Sequence, residues 1–349
     1  MLDYRRRRAA LCVAALALAA VVARAAPLAP QGWPGRVPPY SILWGAAQRA
    51  WNATSAAPSR APFPHVASEA ATHSEVYEAL SRQYPAMLLG GEGSNRPVWF
   101  NVDEVWDLDD ALLAPLWRRF FEYHTSAEFL WSVLALLHDE VEAEYPGLAA
   151  RMRGMRVVRR REGLLGAAAG GARAGGYGGG EGRGGSGGGD RGRRRRWRAE
   201  RAAEATGEEA AQPMIVMDCQ FRINTPVTER PSRVIHPHVD NPFKLYVGLF
   251  YVPEAAAGGD GAGGDLVLYE EASAGGAQLN ANRFVQDESA ILPSRVVRYL
   301  ANHGVVFLNT NRSIHGVTPR EPTRRLRRMV TLSASLETPI FAAGTRKED

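Results

Sequence analysis

Lysine is nearly missing from this chain. Lys244 and Lys347 are the only two, so almost every one of its 42 basic residues is Arg. Such a bias, beside abundant Ala, Gly and Pro, reads as nucleotide composition rather than function. Cysteine is as scarce: Cys12 lies near the N-terminus and Cys219 in a predicted strand. A single thiol downstream of the N-terminal segment excludes an internal disulfide framework and any Cys-based zinc site. Stability must therefore come from a packed core. Long apolar runs are also missing, and the stretch from Leu11 to Val22 is too short for a comfortable membrane span.

What is present begins with charge. The net charge of +5 and pI near 9.4 at first favour a polyanion partner. Residues 151–201, however, hold 15 Arg against 4 acidic residues, a local +11, which leaves −6 for the rest. The basic character is local, and nucleic acid is not the expected partner.

The N-terminus has a basic stretch (Arg5 to Arg8), a short apolar core and the small-x-small site Ala23-Arg24-Ala25, followed by Pro27. This order predicts a signal peptide or uncleaved signal anchor over residues 1–26. The body would then lie in the secretory pathway (endoplasmic reticulum, Golgi or outside the cell), with a membrane partner only if a type II anchor is retained.

Residues 27–64 read as an irregular, Pro- and Gly-rich lead-in. Residues 65–150 carry helical periodicity, with helices expected over Ser68–Tyr84, Asp109–Tyr123 and from the N-cap Thr125-Ser126 to Pro146. His124 and His138 in this half have no second ligand at helical spacing and read as surface or capping residues. Residues 151–212, with Gly178-Gly179-Gly180 and Arg193 to Arg196, predict a disordered Gly/Ala/Arg-rich insert. From Met214 the period changes to two. Strands are expected over Met214–Asn224, Lys244–Pro253, Gly264–Tyr269, Val296–Leu300, Val305–Asn309 and Leu326–Leu336. The fold class is α+β: a double-stranded β-helix, or jelly roll, over residues 213–341, buttressed by the N-terminal helices.

One stretch organises this half: His236-Pro237-His238-Val239-Asp240. On a strand, His238 and Asp240 share a face. A third ligand from a distant strand, His315 in Ser313-Ile314-His315-Gly316-Val317, would complete two His and one carboxylate, the ligand set of non-haem Fe(II) oxygenases. His236 has the same parity as His238 and would line the site mouth, while His303, before Gly304, reads as a turn residue. A co-substrate carboxylate needs a cation, which Arg supplies bidentately. On the last strand Arg328 is preferred, because it shares its face with apolar Val330 and Leu332. Arg327 is next, and Arg325 lies nearer the loop.

The stretches 232–242, 263–269 and 309–319 together resemble the Fe(II)/2-oxoglutarate-dependent dioxygenases, nearest the prolyl-4-hydroxylase-like branch. The resemblance covers roughly residues 60–150 and 213–340. It implies Fe(2+) held by His238, Asp240 and His315, with O2 and 2-oxoglutarate as co-substrates and ascorbate as an optional reductant. The C5 carboxylate of 2-oxoglutarate would fall to Arg328; collagen-type relatives use Lys there, and this strand has none. The expected activity is hydroxylation of a peptidyl residue or small molecule, with release of succinate and CO2. Asp240 favours hydroxylation over halogenation, since halogenases of that superfamily lack the carboxylate. Two other readings compete: a cupin-like metal enzyme that does not use 2-oxoglutarate, and a non-catalytic jelly-roll binding module. No motif names the substrate.

Overall fold

The computed structural model describes residues 37–51, 58–85, 93–100, 113–160, 212–254, 263–273 and 276–342. The predicted signal segment and residues 161–211 of the predicted insert lie outside the described residues. Among the described residues no helix is long and apolar enough to cross a membrane.

The helices are α1 (Trp44–Trp51), α2 (Ser74–Arg82), α3 (Pro115–His124), α4 (Ala127–Leu136), α5 (His138–Glu144) and α6 (Leu148–Met152). Local chemistry sets their starts. Pro115 presets φ at the first position of α3. Ser126 caps α4 by accepting the Phe129 N–H at 3.2 Å, with Glu128 in the first turn. α1 falls inside the stretch expected to be an irregular lead-in. The helix expected from Ser68 starts only at Ser74, because His65–Ser68 pairs as an edge strand with Phe307–Gly304.

The strands are β1 (His65–Ser68), β2 (Pro97–Phe100), β3 (Arg156–Arg159), β4 (Met214–Asn224), β5 (Lys244–Tyr251), β6 (Leu266–Glu271), β7 (Ile291–Val297), β8 (Gly304–Leu308), β9 (His315–Val317) and β10 (Arg327–Leu336). They form a seven-stranded sheet, ordered β1-β8-β5-β10-β4-β2 with β3 beside β4, and a three-stranded sheet, β7-β6-β9. All pairings are antiparallel except β3–β4. β3 corrects the sequence reading: residues 156–159, assigned to the insert, pair with Met214–Met217. β7 also lies earlier than the expected 296–300, in register with β6 through Ile291↔Glu271.

Both faces of the large sheet are covered. On one, the helices pack Trp117, Phe120 and Phe121 onto Phe221 and Phe250, with Trp117–Phe221 ring centroids 4.8 Å apart. This face takes the odd residues of β4 (Ile215 to Ile223) and the even residues Val330, Leu332 and Ala334 of β10. On the other, Val247, Tyr251, Phe307 and Met329 pack against Leu266, Leu268 and Val297 of the small sheet. The molecule is thus a β-sandwich with a helical layer on one outer face. The space between the sheets holds the site.

Candidate metal centre

His238 and His315 are direct cross-strand partners. The His238 N–H donates to the His315 carbonyl and the His315 N–H to the His238 carbonyl, both at 2.9 Å. This closed pair attaches the His-x-Asp segment to β9, and a chain separation of 77 residues becomes a ring-centroid distance of 4.3 Å. Close approach is possible because residue 316 is glycine: a Cβ there would stand 3.1 Å from both Pro237 N and Cα. Asp240, two residues on from His238, turns to the same side. One ligand atom from each of His238, Asp240 and His315 lies within 4.8 Å of the others. His315 Nε2 stands 3.5 Å from Asp240 Oδ2.

Each imidazole is oriented by its own chain. His238 Nδ1 donates to the His236 carbonyl and His315 Nδ1 to the Ser313 carbonyl, each at 2.9 Å. In that tautomer both Nε2 lone pairs are free for a metal. Phe284 and Phe307 flank the rings, at 5.6 Å from His238 and 4.8 Å from His315. Burial holds His238 well below an ordinary imidazole, at about 3, and the neighbouring His315 adds to this while Asp240 opposes it. Burial likewise lowers His315, against the pull of Asp240. Burial alone would raise the Asp240 carboxyl; Lys244, His315 and His238 together bring it below the usual range. At neutral pH the trio is two neutral imidazoles and one carboxylate, the protonation state a divalent ion requires. The donor spacing is on the scale of two metal–ligand bonds of roughly 2 Å each, so the residues fit an ion of the kind their chemistry selects.

The surroundings of this trio carried little signal in the sequence. Lys244 Nζ donates to Asp240 Oδ1 at 2.9 Å, which leaves Oδ2 turned toward His315. Asn309, fully buried, donates to the Asn241 and Lys244 carbonyls at 2.9 Å and accepts from Ser313 Oγ at 3.1 Å. It ties the Asp240 turn to the loop that presents His315. His236 stays outside the trio: its Nδ1 meets Glu288 Oε1 at 3.2 Å, beside the Arg233–Glu288 pair at 2.6 Å. His124 is neither surface nor cap. It is fully buried, donates Nδ1 to the Phe120 carbonyl at 2.7 Å and accepts the Ile42 N–H at Nε2, 3.1 Å.

The arginines sort differently from the sequence reading. Arg328 lies on the helix-covered face with Val330 and Leu332. It donates to the Val252 and Pro253 carbonyls at 3.0 and 2.8 Å and stacks on Tyr84. The apolar companions that recommended it mark the helical core, not the space between the sheets. Arg325 is exposed, and its carbonyl accepts from Arg320. Arg327 has the parity of Met329 and turns between the sheets. Its Nε donates to the Gly264 carbonyl at 2.8 Å, Nη1 to Asn224 Oδ1 at 3.2 Å, and the Tyr251 and Tyr299 rings stand 5.4 and 5.2 Å away. Gly264 has φ +82°, and a Cβ there would press on Arg327 Cδ at 3.0 Å. The Tyr251 hydroxyl is buried beside Arg327 and the Leu266 backbone.

No protein-family model and no curated protein matches this chain. Solved structures give a coarse likeness. A prolyl 4-hydroxylase from Phytophthora capsici is 11% identical, with 88% of this chain and 70% of that one covered, at a TM-score of 0.38. A Pseudomonas putida prolyl-4-hydroxylase is 20% identical over 34% of this chain, at a TM-score of 0.21. The Trichoplax adhaerens prolyl hydroxylase, solved with a hypoxia inducible factor oxygen degradation domain peptide fragment, is 15% identical over 39%, also at 0.21. The match spans only 50% and 52% of the last two chains. The chemistry of the site rests on the chain's own side chains.

Proposed function

We propose that this chain is an Fe(II)- and 2-oxoglutarate-dependent oxygenase with a jelly-roll core, hydroxylating a peptidyl residue or a small molecule. One observation carries the reading: His238, Asp240 and His315 converge between the sheets, with each imidazole Nδ1 on a backbone carbonyl and Asp240 Oδ2 turned toward His315 Nε2. The strand order supports the jelly roll, since the chain crosses repeatedly between the facing sheets: β4 and β5 lie in the large sheet, β6 and β7 in the small one, β8 in the large, β9 in the small and β10 in the large. In the reaction, one atom of O2 enters succinate and the other the hydroxyl of the product, with CO2 leaving from the oxo acid. Iron(II) in this site would supply the binding and activation of O2.

The chain's own residues set the conditions. The two backbone acceptors fix the imidazole tautomers, Lys244 fixes the carboxylate, and Phe284 and Phe307 keep water from one side. Arg327, with the Tyr251 hydroxyl, supplies donors for the distal carboxylate of 2-oxoglutarate; Arg is suited to that bidentate grip. The basic-apolar-small N-terminus supports a secretory-pathway location.

The test is an anaerobic titration with Fe(II) and 2-oxoglutarate, followed by the visible charge-transfer band. The band is expected in the wild type and in His236→Ala, and lost in His238→Ala and His315→Ala. A folded wild-type protein with no band refutes the reading.

A further inference from the structure

β4 alternates apolar and polar residues over its length. The apolar set packs under the helices, so Asp218, Gln220, Arg222 and Asn224 look between the sheets. Three of these have evident partners. Asp218 accepts from Arg160 at 2.5 Å and from Gln220 at 2.7 Å, and Asn224 accepts from Arg327. Arg222 is different. The residue is half-buried, and its Nε is buried with no hydrogen-bond partner among the described residues. A buried guanidinium N–H left without an acceptor is costly unless something else supplies one.

Its position indicates what that is. Met329 of β10 pairs with Arg222 on one side and with Tyr251 on the other, and Arg327 pairs with Asn224, two residues along β4 on the same face. Two residues along a strand are roughly 7 Å, so Arg222 and Arg327 are neighbours in one pocket. The charges that act on Arg222 are Asp240 and Asp218, which attract it, and Arg327 and Arg160, which repel it. Both carboxylates are engaged: Asp240 by Lys244 and Asp218 by Arg160. Arg327 has only uncharged partners. Two guanidinium charges thus face the space beside the metal ligands with no carboxylate committed to either among the described residues. A dianion matches them, and a rigid donor fork matches a carboxylate.

We propose that Arg222 is a second anion grip: it binds the metal-proximal carboxylate of a 2-oxo acid while Arg327 holds the distal one. This inference rests on the oxygenase reading. Arg222 stands within the influence of Asp240 as well as of Arg327, as a residue at the metal end of the ligand must. With it, the pocket selects a dicarboxylic 2-oxo acid by charge at both ends.

The experiment compares 2-oxoglutarate and pyruvate binding to the Mn(II)-loaded full chain by calorimetry, with melting temperature as the folding control. Loss of a charge-assisted bidentate contact weakens binding by about ten- to hundredfold. Arg222→Gln is expected to lose that much for both acids, and Arg327→Gln for 2-oxoglutarate alone. Arg222→Lys, which keeps the charge but not the fork, should fall between wild type and Arg222→Gln. Wild-type binding of 2-oxoglutarate with undiminished affinity in folded Arg222→Gln overturns this assignment and leaves the oxygenase reading standing. Loss for 2-oxoglutarate with pyruvate unaffected also overturns it, since Arg222 would then hold the distal end. If Arg222→Gln does not fold, unchanged affinity for both acids in Arg222→Lys has the same force. A wild-type protein that binds neither acid overturns both proposals.

Discussion

Proton competition for the metal distinguishes this site from an open pair of histidines. A metal and a proton compete for the same Nε2 lone pair. For two ordinary imidazoles with pKa near 6.5, lowering the pH from 7.0 to 5.5 weakens metal binding by about eightfold each, or roughly seventyfold together. His238 does not fit that expectation. Burial and the adjacent His315 hold its pKa at about 3, so it is neutral throughout that range and contributes no competition. His315 is also lowered, so its share is less than the ordinary one, and Asp240 stays ionised. The apparent Mn(II) dissociation constant should therefore rise by less than about eightfold between pH 7.0 and 5.5. Electron paramagnetic resonance of free Mn(II) measures it, and circular dichroism confirms that the protein stays folded. A seventyfold loss in folded protein would show that the rings are accessible to protons and that the burial argument is wrong. The same shifts carry a folding consequence of definite sign. A buried His with a depressed pKa stabilises the fold above the unfolded-state value near 6.5, and that contribution is lost as the pH falls.

His124 isolates that consequence from the metal. Its neutral ring uses both nitrogens, and protonation would set an N–H against the Ile42 N–H; its pKa is accordingly held at about 3 by burial. From pH 6.5 to 5.0 it should cost the fold roughly 2 kcal/mol, and His124→Gln, whose amide oxygen can still accept from Ile42, should show a ΔG–pH slope in urea unfolding shallower by that amount; an equal slope contradicts it. Gly316→Val places side-chain atoms where a Cβ alone already meets Pro237 at 3.1 Å. It should push β9 off the His-x-Asp segment, cost about 1–3 kcal/mol of stability and weaken Mn(II) binding at least tenfold, whereas wild-type affinity would show that the two segments separate without cost.

The parts of the site that sequence could reveal were those encoded by parity and by identity together. His238 and Asp240 were expected on one face of a strand; the structure brings them to the same site, but from a segment held to β9 by an isolated bridge at His238 rather than from a regular strand. His315 was identifiable by its neighbours, although its pairing with His238 depends on Gly316 and on the register between β9 and residues 235–239. The strand run Met214–Asn224 also appears with the expected bounds, because its alternation continues over eleven residues. Other features had no local signature. His124 is buried by the packing of α3 against residues near Ile42, and Asn309 acts by joining two loops that are remote in sequence. β3 was hidden because Arg156 and Arg159 made it look like the start of a basic insert.

The arginines show why alternation alone misassigns a pocket. The usual inference takes the apolar face of a strand as the inside and the polar face as solvent. Here both faces of the large sheet are covered, so apolarity marks the helical layer. Arg328, chosen for its apolar companions, is spent on backbone carbonyls under the helices. Arg327 and Arg222, on faces shared with Thr331, Gln220 and Asn224, turn between the sheets. Polar residues there incur desolvation that packing does not return, so they persist where they bind one another or a ligand. Asp218 and Asn224 bind protein partners, while the Arg222 Nε has none among the described residues. In a sandwich with a helical layer on one side, the polar face of a central strand is therefore where a ligand pocket should be sought. The buried Arg222 Nε, which has no acceptor among the described residues, is why an anion is proposed at that end of the pocket.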